Sequence, residues 1–256
     1  MKAIYKREMS SFFHSPMGWV LLAIGMGISG FFFTMAVSGG YVDMAQIYTS
    51  IEVLLLLVMP ILTMRLFAEE KKGGTEVLLY TTPTSLLRVV IGKYLAAMTQ
   101  VGIIMSITIV HAIAAAVMGG LVGAAFAGTA VAFFMVFSVF VALGIFISAS
   151  TENQIIAAVV GMITSFFFLF LYDGLASALQ GMVSFVLSLF KLSPEASANA
   201  ASAVYGFFSW LNPITKMNNI NRGVFELPPL FFALSLTAFF IFLTYRLLEK
   251  RRWTQS

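Results

Sequence analysis

Six long apolar segments limit this chain to a helical fold that crosses a membrane. They cover residues 17–38, 47–67, 94–118, 128–149, 154–172 and 228–247. A transmembrane helix needs about 20 mostly apolar residues. Only 10% of the residues are charged, against about 25% in soluble domains, so a soluble fold is excluded. We therefore expect an all-α integral membrane protein in which residues 1–256 form a single domain with six transmembrane helices.

The basic residues predict how these helices are oriented. The N-terminal sequence MKAIYKREMSSFFHSPMGWV resembles the start of a signal peptide, but no small-residue cleavage site follows, which favours a retained first span. If the N-terminus is cytoplasmic, twelve of the fifteen Lys and Arg residues are cytoplasmic as well. Only Lys191, Lys216 and Arg222 then lie outside. This bias agrees with the positive-inside rule and places both termini in the cytoplasm.

The apolar stretch 174–190 is a seventh candidate span. It is slightly short, and counting it would place the basic C-terminus outside, against the charge rule. We therefore expect a re-entrant or interfacial helix at the outer face. The polar SPEASANAAS and a second short apolar piece, VYGFFSWL, follow it.

The motifs expected of an enzyme or an ATPase are missing from the sequence. There is no G-x-x-x-x-G-K-[ST] motif, no Cys, and no H-E-x-x-H, and His14 and His111 lie far apart. These absences argue against ATP binding by a P-loop, thiol chemistry and a zincin-type protease. We expect no catalytic, metal or cofactor site in this chain.

Two ionisable side chains fall inside the predicted spans. His111 can be read as a hydrogen-bonding partner of a neighbouring helix or as a proton relay. Glu52 is either a functional carboxylate or a group that is hydrated or paired near the outer interface. The positions near the membrane midplane are apolar, glycine or small hydroxyl residues, which argues against ion-coupled transport. We therefore expect the protein to take its energy from a partner.

The densest charge cluster lies in the loop between the second and third spans. RLFAEEKK continues the second span, the pair Gly73-Gly74 breaks it, and TEVLLYTT offers an apolar turn, Val77, Leu78, Leu79 and Tyr80. Thr82 and Pro83 then start the helix that enters the third span. The apolar turn suits the groove of a partner protein and, equally, the inner leaflet of the membrane.

The residues before the first span predict an amphipathic helix lying in the membrane plane. Its apolar arc contains Ile4, Tyr5, Met9, Phe12 and Phe13, with Lys6, Arg7 and Ser10 largely opposite. Glu8 interrupts the apolar arc, so the amphipathicity is moderate. A turn at Ser15-Pro16 would lead the chain into the membrane.

Three stretches, REMSSFFHSPMGWV, LTMRLFAEEKKGGTEVLLYTTPTSLLRVVIGKYLA and NPITKMNNINRGVFELPPLFF with the terminal LEKRRW, resemble the permease subunit of type-2 ABC exporters. The nearest branch is that of the gliding-motility-associated and nitrous-oxide-reductase-maturation permeases. The resemblance implies an elbow helix over 2–15, a cytoplasmic coupling helix over 70–82 and outer re-entrant helices over about 174–212.

It further implies two permeases, as a homo- or heterodimer, and two separate P-loop ATPases that bind the ATP and Mg²⁺. On this resemblance the ATPase would dock on the coupling loop, and its contact residues would be Glu69, Glu70, Lys71, Gly74, Thr75, Glu76, Val77, Leu78, Leu79 and Tyr80. Tyr5, Met9, Phe12 and Phe13 would belong to the elbow helix. The second cytoplasmic loop, STENQ, is short and offers little further surface.

We therefore expect a non-catalytic transport subunit in a bacterial inner membrane, with no nucleic-acid partner, and export as the direction that the resemblance implies. The alternative is a membrane scaffold or assembly factor that docks a cytoplasmic protein without transport. A neighbouring gene for a P-loop ATPase would favour transport. The apolar spans suit hydrophobic cargo, but ordinary lipid-facing surface has the same composition.

Overall fold

The computed structural model describes residues 1–76, 84–190 and 193–254, without the side chains of Pro194, Trp253 and Thr254. Within these ranges the chain is helical. The longer helices are α1 (Lys2–His14), α2 (Pro16–Ser38), α3 (Met44–Thr63), α4 (Arg65–Lys72), α5 (Leu86–Met105), α6 (Ile107–Val117), α7 (Ala124–Ser150), α8 (Gln154–Phe166), α9 (Tyr172–Leu189), α10 (Pro194–Leu211), α11 (Asn218–Asn221) and α12 (Leu227–Thr254). A π-helical segment, Phe167–Leu171, joins α8 to α9, and a 3₁₀ turn, Thr215–Met217, precedes α11.

Six helical stretches are long and apolar enough to cross a membrane, which confirms the six predicted spans. They are Pro16–Ser38, Met44–Lys72, Leu86–Val117, Ala124–Ser150, Gln154–Leu189 and Leu227–Arg252. Capping side chains fix several starts. The Asp43 carboxylate accepts a hydrogen bond from Ala45 N at 2.9 Å, and the Asn153 side chain accepts one from Ile155 N at 2.9 Å.

The centre of the bundle is formed by α3 and α7. Large apolar side chains of both helices, among them Ile51, Leu56, Phe133 and Phe137, are fully buried. α7 packs against α3 on one side and α12 on the other. By contrast, α2, α8 and α12 leave many apolar side chains exposed, as expected for helices that face lipid.

The region after the fifth span differs from the expectation in two ways. Residues 174–190 are not a separate helix, because α8, the π-helical segment and α9 run continuously from Gln154 to Leu189. SPEASANAAS and VYGFFSWL likewise form one helix, α10, which starts at the Ser193 cap and Pro194 and packs along α9. The residues of 154–189 include no proline, so nothing in the backbone chemistry forces a break after residue 172.

The two ends of the bundle differ in composition. At one end, here named the basic end, α1 packs on α5, Lys71 at the end of α4 contacts the carbonyl of Ala149, and Arg251 Nη2 lies 3.5 Å from the carbonyl of Ser150. At the opposite end, the turn before α3 pairs with the glycine-rich turn before α7, and Leu121 N donates to the carbonyl of Val42 at 2.8 Å.

Candidate functional site

A cluster of four charged side chains joins three helices at the basic end. Lys93 Nζ of α5 lies 2.9 Å from Glu8 Oε1 of α1 and 3.0 Å from Glu70 Oε1 of α4. Arg7 Nη2 lies 2.8 Å from Glu8 Oε1 and also forms an ion pair with Glu70. The two positive and two negative charges balance. We refer to Arg7, Glu8, Glu70 and Lys93 as the charge cluster.

Lys93 is the buried centre of this cluster. Its side chain is 1% exposed, and its ammonium also donates to the carbonyl of Leu66 at 2.5 Å and lies 4.9 Å from the centre of the Phe67 ring. A buried ammonium is tolerated only when it is paired and hydrogen-bonded. An unpaired Lys93 ammonium would be costly at this buried position, so its bonds to Glu70 and Leu66 fix α4 against α5.

The neighbouring charges favour the ionised forms of Glu8 and Arg7. Burial by itself raises the pKa of Glu8, but the Lys93 ammonium and the Arg7 guanidinium together lower it below its ordinary value. For Arg7, burial lowers the pKa, and the carboxylates of Glu8 and Glu70 more than compensate, so the net shift is upward. Both side chains therefore keep their charge across the physiological range.

A second set of contacts anchors α4 to α7. The Ser148 hydroxyl accepts hydrogen bonds from the backbone amides of Phe67 and Ala68, each at 3.1 Å, and donates to the carbonyl of the residue preceding α4 at 2.8 Å. Lys71 is buried and donates to the carbonyl of Ala149. First-turn amides have no partner within their own helix, so a side chain of α7 supplies it here.

Arg65 links α4 to the turn between α1 and α2. Its Nη1 donates to the Ser15 hydroxyl at 2.7 Å, and its Nε donates to Glu69 Oε2 at 2.9 Å. Ser15 also caps α2 by accepting from Met17 N at 3.3 Å. α4 is therefore held by α1, by the start of α2, by α5 and by α7.

The exposed part of the loop begins where α4 ends. Gly74 adopts a left-handed conformation with φ of 68°, which glycine tolerates best, and its amide donates to the carbonyl of Lys71 at 3.0 Å. The Thr75 hydroxyl donates to the carbonyl of Glu70 at 3.2 Å. Residues 72–75 are exposed to solvent. The polar chain thus leaves the bundle at a fixed point.

The structure separates the predicted ATPase contacts into two groups. Glu69, Gly74 and Thr75 are exposed and Glu76 is half-buried, whereas Glu70 and Lys71 are tied into internal contacts. The predicted apolar turn, Val77, Leu78, Leu79 and Tyr80, lies outside the described residues. The assignment of all ten as ATPase contacts stays a prediction.

The predicted elbow helix exists as α1, and its apolar arc packs on α5. Phe12 is buried, Met9 is half-buried, and the Tyr5 hydroxyl donates to Thr99 Oγ1 at 3.1 Å. Phe13 is 37% exposed. Glu8, which interrupts the arc in the sequence, faces the same neighbour and pairs with Lys93.

Sequence reasoning missed the side chains that hold this site together, namely Arg7, Glu8, Arg65, Lys93 and Ser148. Two signals pointed to them. Glu8 is a single carboxylate on an apolar arc, and Lys93 is a cation within the otherwise apolar stretch VVIGKYLAA. Each charge requires a partner when its face is buried, although the sequence does not say which one.

The two ionisable groups inside the spans have different surroundings. His111 Nδ1 lies 2.9 Å from the Ser29 hydroxyl of α2, and its ring stacks on Phe33 with 4.5 Å between ring centres. This is the contact between helices expected of a structural histidine. Glu52 is buried, 4% exposed, and its carboxylate makes no hydrogen bond within the described part of the chain.

The six membrane-spanning helices define a polytopic membrane protein. At its basic end, α4 is bonded to the neighbouring helices. Residues 32–253 match the family described as ABC-2 family transporter protein. The chain belongs to this family and is a transport permease. No curated protein matches the chain. The family match begins within α2. It therefore does not include α1, which contributes Arg7 and Glu8 to the charge cluster.

Proposed function

We propose that the chain is the transmembrane subunit of an ATP-driven exporter that functions as a dimer of permeases with two separate P-loop ATPases. The basic end faces the cytoplasm of a bacterium, and the coupling loop docks on the ATPase. Membership of the ABC-2 family supports the transport role. The stretches that resemble the gliding-motility and nitrous-oxide-reductase-maturation permeases support a place in that branch of the family.

The observation that carries this proposal is the anchoring of α4. The loop that follows Lys72 leaves from a helix bonded to α1 and α5 through the charge cluster and to α7 through Ser148. A displacement that reaches α4 would therefore act on α1, α5 and α7 together. Such a connection is what an energy-coupling element requires.

The exposed polar residues at the basic end support docking of a protein. Lys6 of α1, Glu69 and Lys72 of α4, Thr75 and Glu152 form a surface of mixed charge. Interfaces of this kind gain specificity from complementary charges and most of their affinity from a few apolar anchors. Leu78 is the anchor that we propose within the coupling loop.

Substitutions in the coupling loop test this assignment. The full chain is co-expressed with a P-loop ATPase encoded beside its gene, carrying either Leu78→Asp or Glu76→Lys. We expect co-purification of the ATPase and permease-dependent ATP hydrolysis to fall about tenfold, as for the loss of an interface anchor. The thermal midpoint of the Leu78→Asp permease should stay unchanged, because Leu78 does not belong to the charge cluster.

Glu195→Lys is the matched control, since this exposed glutamate lies on α10, away from the basic end. It should leave co-purification of the ATPase and permease-dependent ATP hydrolysis unchanged. If co-purification and stimulated hydrolysis both survive Leu78→Asp, the docking assignment is wrong and the inner leaflet becomes the better partner for residues 77–80. A complex whose ATP hydrolysis never responds to the permease would favour the scaffold function instead.

A further inference from the structure

A cavity of about 280 Å³ lies between α7, the π-helical segment, residues 211–213 and α12. On α12 it is lined by Phe232, Leu236 and Phe240, which are spaced four residues apart and share one face of the helix. On α7 it is lined by Phe140 and Leu143, with further apolar side chains around them. Apolar cavities of this kind exclude water and accept apolar ligands. The cavity is separate from the charge cluster.

The wall beside α8 and α9 is built by an irregular piece of helix. Phe168 of the π-helical segment stacks on Tyr172, with 5.3 Å between ring centres and 14° between planes, and meets Phe140 edge-on at 5.8 Å. Asn212 is buried, and its side-chain amide donates to the carbonyl of Phe168 at 3.4 Å. π-helical turns are frequent at functional sites. Here the turn sets two aromatic rings against the cavity.

The ammonium group of Lys216 lies beside one ring that lines the cavity. Lys216 Nζ lies 4.3 Å from the centre of the Phe232 ring and 3.4 Å from that of Trp210. It donates to the carbonyl of Trp210 at 3.3 Å. In the described part of the chain no carboxylate lies within ion-pairing distance of Lys216. One aromatic ring, Phe232, therefore borders both the apolar cavity and an ammonium group that has no anionic partner there.

We propose that the cavity binds one acyl chain of an anionic phospholipid of the bilayer, whose phosphate is held by Lys216. The volume lies just below the range of about 300–1000 Å³ typical of small-molecule pockets, so it suits part of one chain rather than a whole lipid. An apolar cavity beside an ammonium group matches the two ends of such a lipid. This site requires neither an ATPase nor transport, and it is independent of the proposed function.

Photolabelling of the full chain tests the site. The protein is reconstituted in phosphatidylcholine nanodiscs that contain a small fraction of phosphatidylglycerol with a diazirine on the acyl chain. After illumination, labelled peptides are mapped by mass spectrometry. We expect label concentrated on the peptides that contain Phe140, Phe168 and Phe232. The same diazirine on phosphatidylcholine should label them about fivefold less, the preference that one basic residue gives for an anionic lipid.

Two pairs of variants separate the cavity from the cation. Leu236→Phe places a larger side chain in the cavity and should reduce this labelling, whereas Leu234→Phe, on the exposed side of α12, should not. Lys216→Gln should reduce phosphatidylglycerol labelling to the phosphatidylcholine level, and Lys216→Arg should preserve it. Label spread evenly over the exposed helices, or unaffected by Leu236→Phe, would overturn the proposal. Should Leu236→Phe fail to fold, equal labelling by both lipids in the wild-type protein would overturn it just as well.

Discussion

At the basic end, α4 is joined to its neighbours by ion pairs and capping hydrogen bonds, whereas at the opposite end the α9–α10 hairpin packs mainly on itself. Only Tyr172 and Ala176 of α9 are buried, and side chains such as Phe185 and Phe207 are largely exposed. Polar contacts in a medium of low dielectric constant are specific and costly to break. Apolar contacts against lipid give little preference, because lipid tails are as apolar as leucine. The first region is therefore held by specific polar contacts, and the second mainly by apolar contacts within the hairpin.

The opposite end also contains a tightly packed junction, between α11 and α7. α11 packs tightly on α7, and the Thr129 hydroxyl donates to the carbonyl of Asn221 at 3.1 Å. A Cβ atom added at Gly128 would lie 2.0 Å from the carbonyl oxygen of Ile220. The hairpin therefore extends from a rigid junction rather than from a loose end.

The largest expected effect is on the charge cluster. Lys93→Met leaves the carboxylates of Glu8 and Glu70 with only Arg7 as a cation in the charge cluster, which should cost about 3–5 kcal/mol of stability. The measurement is the thermal unfolding of the purified protein in detergent. Lys72→Met, at an exposed position of α4, is the control and should have almost no effect. Equal midpoints for the two variants would show that the basic end is not held by its ion pairs.

An intermediate effect is expected at the junction of α11 and α7. Gly128→Ala forces a methyl group into the backbone of Ile220 and should destabilise the protein by about 2–3 kcal/mol. Gly174→Ala in α9 is the matched control, because a Cβ there meets nothing within 4 Å. It should be neutral or stabilise the helix by up to about 1 kcal/mol. The same loss from both substitutions would remove the distinction between the fixed junction and the exposed hairpin.

The smallest effect concerns pH. Because folding lowers the pKa of Glu8, its charge stabilises the protein above the ordinary value of 4.5, and this contribution is lost as the pH falls below that value. Glu8→Gln should therefore lower stability at neutral pH by about 1.5 kcal/mol, the scale of one charged hydrogen bond. The difference should shrink in acid. A gap between the two unfolding curves that is independent of pH would contradict the ionic role of Glu8.

The sequence predicted the number of spans and the elbow helix correctly, because both follow from local patterns. Apolar length defines a span, and an apolar arc defines a helix that packs on one face. It misplaced the stretch after residue 172, where an apolar helix runs on through a π-helical segment without a proline to end it. Periodicity cannot distinguish one long helix from two short ones when the composition does not change.

The contents of the charge cluster could not be predicted from the sequence, although Glu8 and Lys93 each signalled a missing partner. Arg7 and Glu8 lie more than sixty residues from Glu70 and more than eighty from Lys93. Glu70 was predicted to contact the ATPase, and the structure shows it in ion pairs with Arg7 and Lys93. Exposure depends on which helices pack together, and no local pattern carries that information.

The amino-acid sequence alone specifies where the chain must be helical and apolar, since each residue carries its own hydrophobicity and backbone preference. It also places most of the positive charge at the two termini and in the segment between the second and third spans. The packing of the helices decides which charges meet, that Ser148 caps α4, and that Phe168 and Phe232 line one cavity with Lys216 beside Phe232. The physical reason is that these contacts gain their energy from burial and pairing across distant segments, so they exist only once the helices have packed.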